Sequence, residues 1–92
     1  MTPKPIDFGK VEALRKHMLL RTSDMAQLLG VSRVTYYGWI RGQAPRPGNE
    51  ATVRAMLKQL LVIMTEHGWP MPDIIAASPK QRNERLVALL KK

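Results

Sequence analysis

The sequence predicts an all-α fold in a single small domain. Apolar residues recur every three or four positions in successive stretches, which is the spacing of amphipathic helices, and no stretch alternates apolar and polar residues as a strand would. A chain of 92 residues can close one hydrophobic core. Since it holds only one Phe, two Tyr and two Trp, aliphatic side chains must supply most of that core. We expect five helices.

The first helix is predicted to run from residue 6 or 7 to about residue 20. Its apolar stripe consists of Phe8, Val11, Leu14 and Met18. Residues 1–6 contain two prolines and little to bury, which predicts a flexible N-terminal arm. Residues 7–68 are expected to form the main helical domain, and residues 69–92 a connector and a last helix.

Residues 22–42 predict two short helices joined by a tight turn. Thr22 or Ser23 is expected to cap the first helix, and Gly30 to end it, because glycine adopts the left-handed conformation that a helix C-terminus often requires. Ser32 is expected to cap the second helix, over residues 33–41, with Gly42 as its stop. The predicted buried residues of this unit are Met25, Leu28, Leu29, Val31, Tyr36, Trp39 and Ile40.

The longest helix is predicted over about residues 50–67, opened by Asn49 and ended by Gly68. Val62 and Ile63 lie partly off its main stripe, so the C-terminal segment or another subunit must cover a second side. The connector that follows has room for one short helical turn at residues 73–77. Ser78 is followed by Pro79 and, three residues after the serine, by Gln81, which is a helix start signal. The last helix, to about residue 90, is expected to pack on the domain or to form a dimer interface.

Charge is the strongest compositional signal. Fifteen Lys and Arg against seven Asp and Glu give a formal net charge of +8 and a sequence pI near 10.5. This excess indicates a polyanionic partner, with nucleic acid as the first candidate. The alternative is that the charge serves only to keep the protein soluble, yet a net charge of +8 on 92 residues lies at the upper end of the range usual for soluble small domains.

Other classes of function find little support in the sequence. With no cysteine and two histidines, we expect no disulfide, no metal and no cofactor. Asp24, Asp73 and Glu84 are scattered and no nucleophile lies beside a plausible base, so an enzyme is not expected. An apolar signal core and a stretch long enough to span a membrane are both missing, which predicts a soluble, cytoplasmic protein.

An ordered set of residues runs from the first helix through the two short helices. It consists of Arg15, Met25, Ala26, Leu29, Gly30, Val31, Ser32, Arg33, Tyr36, Trp39, Arg41 and Gly42. Over about residues 11–61 the chain thereby resembles the Cro and lambda-repressor-like helix-turn-helix family, the xenobiotic-response-element-type regulators. The resemblance implies a five-helix lambda-repressor-like domain with a central helix-turn-helix. Its implied motif core is Met25, Ala26, Leu29, Gly30, Val31, Tyr36 and Trp39.

One position departs from the family pattern. Members often carry a Glu directly after the position of Trp39, paired with an Arg at the position of Arg15, whereas this chain has Ile40. That ion pair cannot form here, and an apolar contact can replace it at little cost in stability. Arg15 is then expected to pair with Glu12 or to face phosphate.

The resemblance implies that the N-terminal half of helix 33–41 enters the major groove of DNA. Base edges would be met by Ser32, Arg33, Val34 and Tyr37. Arg33 is the principal candidate, because its planar guanidinium can bond guanine O6 and N7 together. Phosphate contacts would come from Thr22, Ser23, Thr35, Arg41, Gln43 and Arg46. Between Met25 and Asn49 there is no acidic residue, as a surface facing phosphates requires.

These observations lead to one hypothesis and two rivals. The chain is expected to be a sequence-specific double-stranded DNA-binding regulator, a repressor of phage or bacterial type. Since one helix reads only a few base pairs, a homodimer on a palindromic site is expected. The first rival is a phage DNA-packaging adaptor, such as a small terminase subunit, or a replication adaptor. The second is a protein-interaction module, such as an antitoxin, that binds an acidic partner.

Overall fold

Six α-helices and no strand make up residues 5–91, the part of the chain that the computed structural model describes. The helices are α1 (Phe8–His17), α2 (Thr22–Leu28), α3 (Arg33–Ile40), α4 (Pro47–His67), α5 (Pro72–Ala76) and α6 (Pro79–Leu90). The all-α prediction is therefore confirmed. The number five is wrong, because the short turn allowed for in the connector is a helix of its own, α5.

The predicted N-terminal arm falls mostly outside this range, because residues 1–4 are not among the described residues. Of the remaining two, Ile6 is half-buried and packs against the core. Asp7 then opens α1 as its N-cap, and its carboxylate accepts a hydrogen bond from the Gly9 amide at 2.9 Å. The chain is thus anchored to the domain one residue before the first helix is capped.

Three helix boundaries differ from the prediction for local reasons. α1 ends at His17, three residues early, because Leu19 takes a positive φ of 63° that no helix can contain. α4 begins at Pro47 rather than at residue 50, since proline is favoured in the first helical turn. α3 ends at Ile40, one residue before the expected end.

The expected cap of α2 is wrong. Thr22 is the first helical residue and Arg21 is the N-cap. The capping group is the buried carboxylate of Asp24, which accepts from the Arg21 backbone amide at 2.9 Å and from the Arg21 Nε at 3.0 Å. Asp24 is only 3% exposed, so this pair fixes the start of α2. The Ser32 cap of α3 and the Ser78 capping box of α6 are confirmed.

The first three helices all end in a Schellman motif, in which a backbone amide reaches back to a carbonyl five residues earlier. These bonds run from Leu20 to Arg15 at 3.1 Å, from Val31 to Ala26 at 3.0 Å, and from Gln43 to Gly38 at 2.9 Å. The residue before each donor has a positive φ: 63° at Leu19, 75° at Gly30 and 114° at Gly42. The predicted stops at Gly30 and Gly42 are therefore confirmed.

One apolar core joins all six helices. Its buried members are Phe8, Val11, Met18, Leu20, Met25, Ala26, Leu29, Tyr36, Trp39, Val53, Leu60, Ile63, Trp69, Ile74 and Leu86. Trp69 lies between α4 and α5 and is buried in the core. Its indole Nε1 donates to the Met18 carbonyl at 2.9 Å. Because Leu86 is fully buried, α6 packs on the domain. Within residues 5–91 no helix is both long and apolar enough to cross a bilayer.

Candidate nucleic-acid interface

Helix α3 has a buried face and an exposed face. On the buried face Tyr36 is 0% and Trp39 5% exposed, and α3 packs on α2 and α1. On the opposite face Val34 is 81% and Tyr37 42% exposed, beside an exposed Arg33. This outer face carries the residues predicted to contact bases, and it is therefore the candidate functional surface.

The inner face of α3 is tied to α1 by a polar cluster of Glu12, Arg15 and Tyr36. The Arg15 guanidinium holds the Glu12 carboxylate with two hydrogen bonds, of 2.8 and 2.9 Å. Tyr36 donates its hydroxyl to the same carboxylate at 2.7 Å. A further nitrogen of Arg15 donates to the Leu20 carbonyl at 2.9 Å, beyond the end of α1. The cluster therefore joins α1, its C-terminal turn and α3.

This arrangement decides between the two expected roles of Arg15. The Arg15 and Glu12 side chains are only 15% and 20% exposed, and they pair with each other within α1. Ile40, where the resembled family often has a Glu, is half-buried and packs against the core. Arg15 is thus paired within α1, and Ile40 makes an apolar contact.

The cluster shifts the pKa of all three of its members, and the Glu12 carboxylate raises that of Arg15. Hydrogen bonding by Arg15 holds the pKa of the Glu12 carboxyl below its ordinary value. Burial raises the pKa of the Tyr36 phenol, and the neighbouring Glu12 carboxylate raises it further. Around neutral pH Glu12 is therefore charged and Tyr36 remains a proton donor to it.

An aromatic contact holds α3 at a second point. The ring centroids of Phe8 and Trp39 lie 5.4 Å apart, with the planes tilted by 36°. Such a tilted pair adds to the burial of both rings. Together with the polar cluster, this contact packs the inner face of α3 against α1. Neither of these two contacts involves the outer face of α3.

The four predicted base-contacting residues are exposed: Ser32, Arg33 and Val34 lie at the start of α3, and Tyr37 lies one turn further along the helix. Ser32 is partly engaged, because its hydroxyl accepts from the Thr35 amide at 3.2 Å and contacts the Thr35 hydroxyl at 3.1 Å. Arg33 forms no hydrogen bond or ion pair with any other residue between 5 and 91. The Arg33 guanidinium is therefore available to an outside partner.

The predicted phosphate-contacting residues divide into two groups. Half-buried Thr22 and exposed Ser23 lie in the first turn of α2, and half-buried Thr35 lies in the first turn of α3. The others are exposed and follow α3: Arg41, Gln43 and Arg46. The two groups thus lie at the helix starts and beyond the C-terminal end of α3.

Sequence reasoning missed two features of α3, one on its inner face and one on its outer face. The first is the hydrogen bond from Tyr36 to Glu12, which spans 24 residues and leaves no mark in a local pattern. The second is the packing of the Gln43 side chain over Gly38, where a Cβ would stand 3.2 Å from the Gln43 Cδ. A signal for the second did exist, namely a glycine in the middle of a helix without any need for a positive φ.

Comparison with known proteins adds nothing to this geometry. The chain matches no protein-family model, no curated protein and no solved structure. Within the described part of the chain, no group of three or more His, Cys, Asp or Glu side chains is placed to hold a metal ion.

We predict that Tyr36→Phe lowers the free energy of unfolding by about 1–2 kcal/mol, because it removes a hydrogen bond to a charged acceptor. The Glu12 pKa is lowered in the folded state, so this stabilisation is present above the ordinary carboxyl pKa and is lost as the pH falls through the folded-state value. Urea unfolding at pH 7 and in acid measures both effects.

The matched control is Tyr37→Phe, which removes the hydroxyl of an exposed tyrosine that has no hydrogen-bond partner within residues 5–91. It should change stability by less than about 0.5 kcal/mol. Equal losses from the two variants, or a Tyr36→Phe loss that does not shrink in acid, would contradict the role given to the cluster.

Proposed function

We propose that the chain is a sequence-specific double-stranded DNA-binding regulator, a transcriptional repressor of phage or bacterial type that acts in the cytoplasm. The observation that carries the proposal is the two-sided character of α3. Its inner face is bound to α1 by the Glu12 cluster and by Trp39, while its outer face presents Arg33 without a partner among the described residues. A rigid helix with a free, basic outer face suits insertion into the major groove.

The order of the helices supports the same proposal. α2 and α3 are short, pack on each other, and are separated by four residues that include Gly30 at positive φ. Together with the resemblance over residues 11–61, this favours a helix-turn-helix within a lambda-repressor-like arrangement, with α3 as its recognition helix.

In this proposal the residues of the surface divide into two roles. At the start of α3, Arg33 reads a guanine, and Val34, 81% exposed, contacts a thymine methyl. Arg41 and Arg46 neutralise phosphates beside the groove, together with hydroxyl groups at the starts of α2 and α3. The lack of acidic residues between Met25 and Asn49 keeps this surface free of repulsion from phosphate.

A homodimer is part of the proposal, because an eight-residue helix reads few base pairs. Apolar side chains on one side of the molecule support it. Val62 of α4 is 46% exposed and lines an open groove with the half-buried Leu89 and Leu90 of α6. A second copy seated on this groove would cover all three side chains and bring two recognition helices to one palindromic site.

We predict that Arg33→Ala removes discrimination at one base pair of the preferred site, by about 5- to 150-fold in relative affinity. Arg46→Ala should weaken binding to every duplex alike and reduce the slope of log affinity against log salt by about 1. Site selection from a random pool, followed by titration of single-base variants at several salt concentrations, measures both.

Two outcomes would count against this assignment. Equal losses on all sequences from both variants would mean that Arg33 does not read a base. Binding of the wild-type chain to random duplex that hardly falls with salt would favour the rival protein-interaction module, since phosphate contacts release counterions.

We predict that the wild-type chain sediments as a dimer at micromolar concentration and that Val62→Glu makes it monomeric, because the interface would have to desolvate a charged carboxylate in place of an apolar side chain. Ile75→Glu is the control, since Ile75 is 56% exposed on α5 and lies outside the groove. A monomeric wild type would contradict the homodimer. A ring of more than two copies would support the packaging adaptor instead.

A further inference from the structure

The turn after α3 differs from the two turns before it in one respect. In a Schellman motif the side chain of the amide donor commonly makes an apolar contact with the last turn of the helix. Leu20, the donor after α1, is buried, and Val31, the donor after α2, is half-buried. The donor after α3 is the polar and exposed Gln43. The Gln43 side chain therefore does not pack in the core.

Gly38 makes room for this glutamine. A Cβ at position 38 would collide with the Gln43 Oε1 and stand 3.2 Å from its Cδ. Gly38 needs no special backbone conformation, since its φ is not positive. A glycine inside a helix is unfavourable relative to alanine, so its presence here has a local reason. In the structure, the Gln43 amide occupies the space that a side chain at position 38 would take.

The amide thereby joins the outer face of α3. Gly38 lies one helical turn after Val34 and almost one turn before Arg41, so the three positions form one stripe along the helix. Gln43 supplies the side chain that this stripe lacks at position 38. Its amide forms no hydrogen bond with another residue between 5 and 91, so both its donor and its acceptor can meet an outside partner.

We propose that Gln43 reads an adenine in the major groove and that Gly38 is the residue that positions it. This rests on the proposed function and changes one part of it, because Gln43 was first expected to contact phosphate. A side-chain amide bonds adenine N6 and N7 together, whereas a phosphate offers acceptors only and uses half of the amide. The Schellman bond of 2.9 Å from Gln43 to Gly38 fixes the backbone from which the amide extends.

The test begins from a preferred duplex selected by the wild-type chain and a panel of its single-base variants. Gln43→Ala is expected to abolish the preference for A·T at one base pair, by about 5- to 150-fold, and to leave random-duplex affinity and its salt slope unchanged. Gly38→Ala is expected to lose preference at the same base pair, because the added methyl displaces the amide. Combining the two changes should add nothing further.

Two controls separate positioning from general damage to the fold. Gly38→Ala should not lower the urea midpoint, because alanine favours the helix and the displaced group is the flexible end of a side chain. Gly48→Ala adds the same methyl in the first turn of α4, where a Cβ would meet nothing within 4 Å. It should leave base preference unchanged.

The outcomes distinguish this inference from the function beneath it. A uniform loss of affinity with a smaller salt slope from Gln43→Ala would make Gln43 a phosphate contact and overturn the inference alone. An intact adenine preference in Gly38→Ala, with the preference lost in Gln43→Ala, would overturn the positioning role. A wild-type chain with no base preference at all would overturn both the inference and the proposed regulator.

Discussion

The structure depends above all on the shared Glu12 carboxylate, which accepts from Arg15 within α1 and from Tyr36 in α3. A half-buried carboxylate is costly unless its oxygens are satisfied, and here they accept three hydrogen bonds from two donors. Arg15 also donates to the Leu20 carbonyl, so its guanidinium links the Glu12 carboxylate to the turn after α1. The tilt of α3 on the domain follows from this cluster and from the contact between Phe8 and Trp39.

Because the inner face of α3 is held against α1, the outer face of α3 has a fixed position on the domain. The described residues share one apolar core, and α3 contributes Tyr36 and Trp39 to it. The outer face carries the exposed Val34 and Tyr37 together with polar and basic side chains, of which three matter for the proposal: Arg33, Arg41 and Gln43. They extend from a backbone held at both ends, by the Ser32 cap and by the Schellman motif at Gly42. Preorganisation of this kind reduces the entropy lost on binding.

Local patterns in the sequence predicted much of the fold. Helical periodicity predicted the all-α class, Ser32 and Ser78 predicted helix starts, and Gly30 and Gly68 predicted helix ends, because each signal acts within a few residues. The early end of α1 could not be predicted in the same way. Leu19 adopts a positive φ that its residue type disfavours, and the backbone bonds of the Schellman motif together with the Arg15 side-chain bond to the Leu20 carbonyl hold the turn in this conformation.

For the candidate site too, the sequence predicted some features and could not predict others. Exposure of Arg33, Val34 and Tyr37 follows from the helical spacing that buries Tyr36 and Trp39, so it could be predicted from the sequence. The capping of α2 by Asp24 rather than by a hydroxyl could not, because Asp24 accepts from the Arg21 amide and its carboxylate is buried in the folded domain. The link from Tyr36 to Glu12 needed the tertiary arrangement itself.

The central claim is that the outer face of α3 is the surface that contacts DNA. The most direct test is a titration of ¹⁵N-labelled protein with a short random duplex at low salt, followed by amide chemical shifts. The account predicts the largest shift changes in residues 32–43 and at the start of α2, with α6 nearly unchanged. Changes concentrated on α4 and α6, or no response of α3, would contradict it.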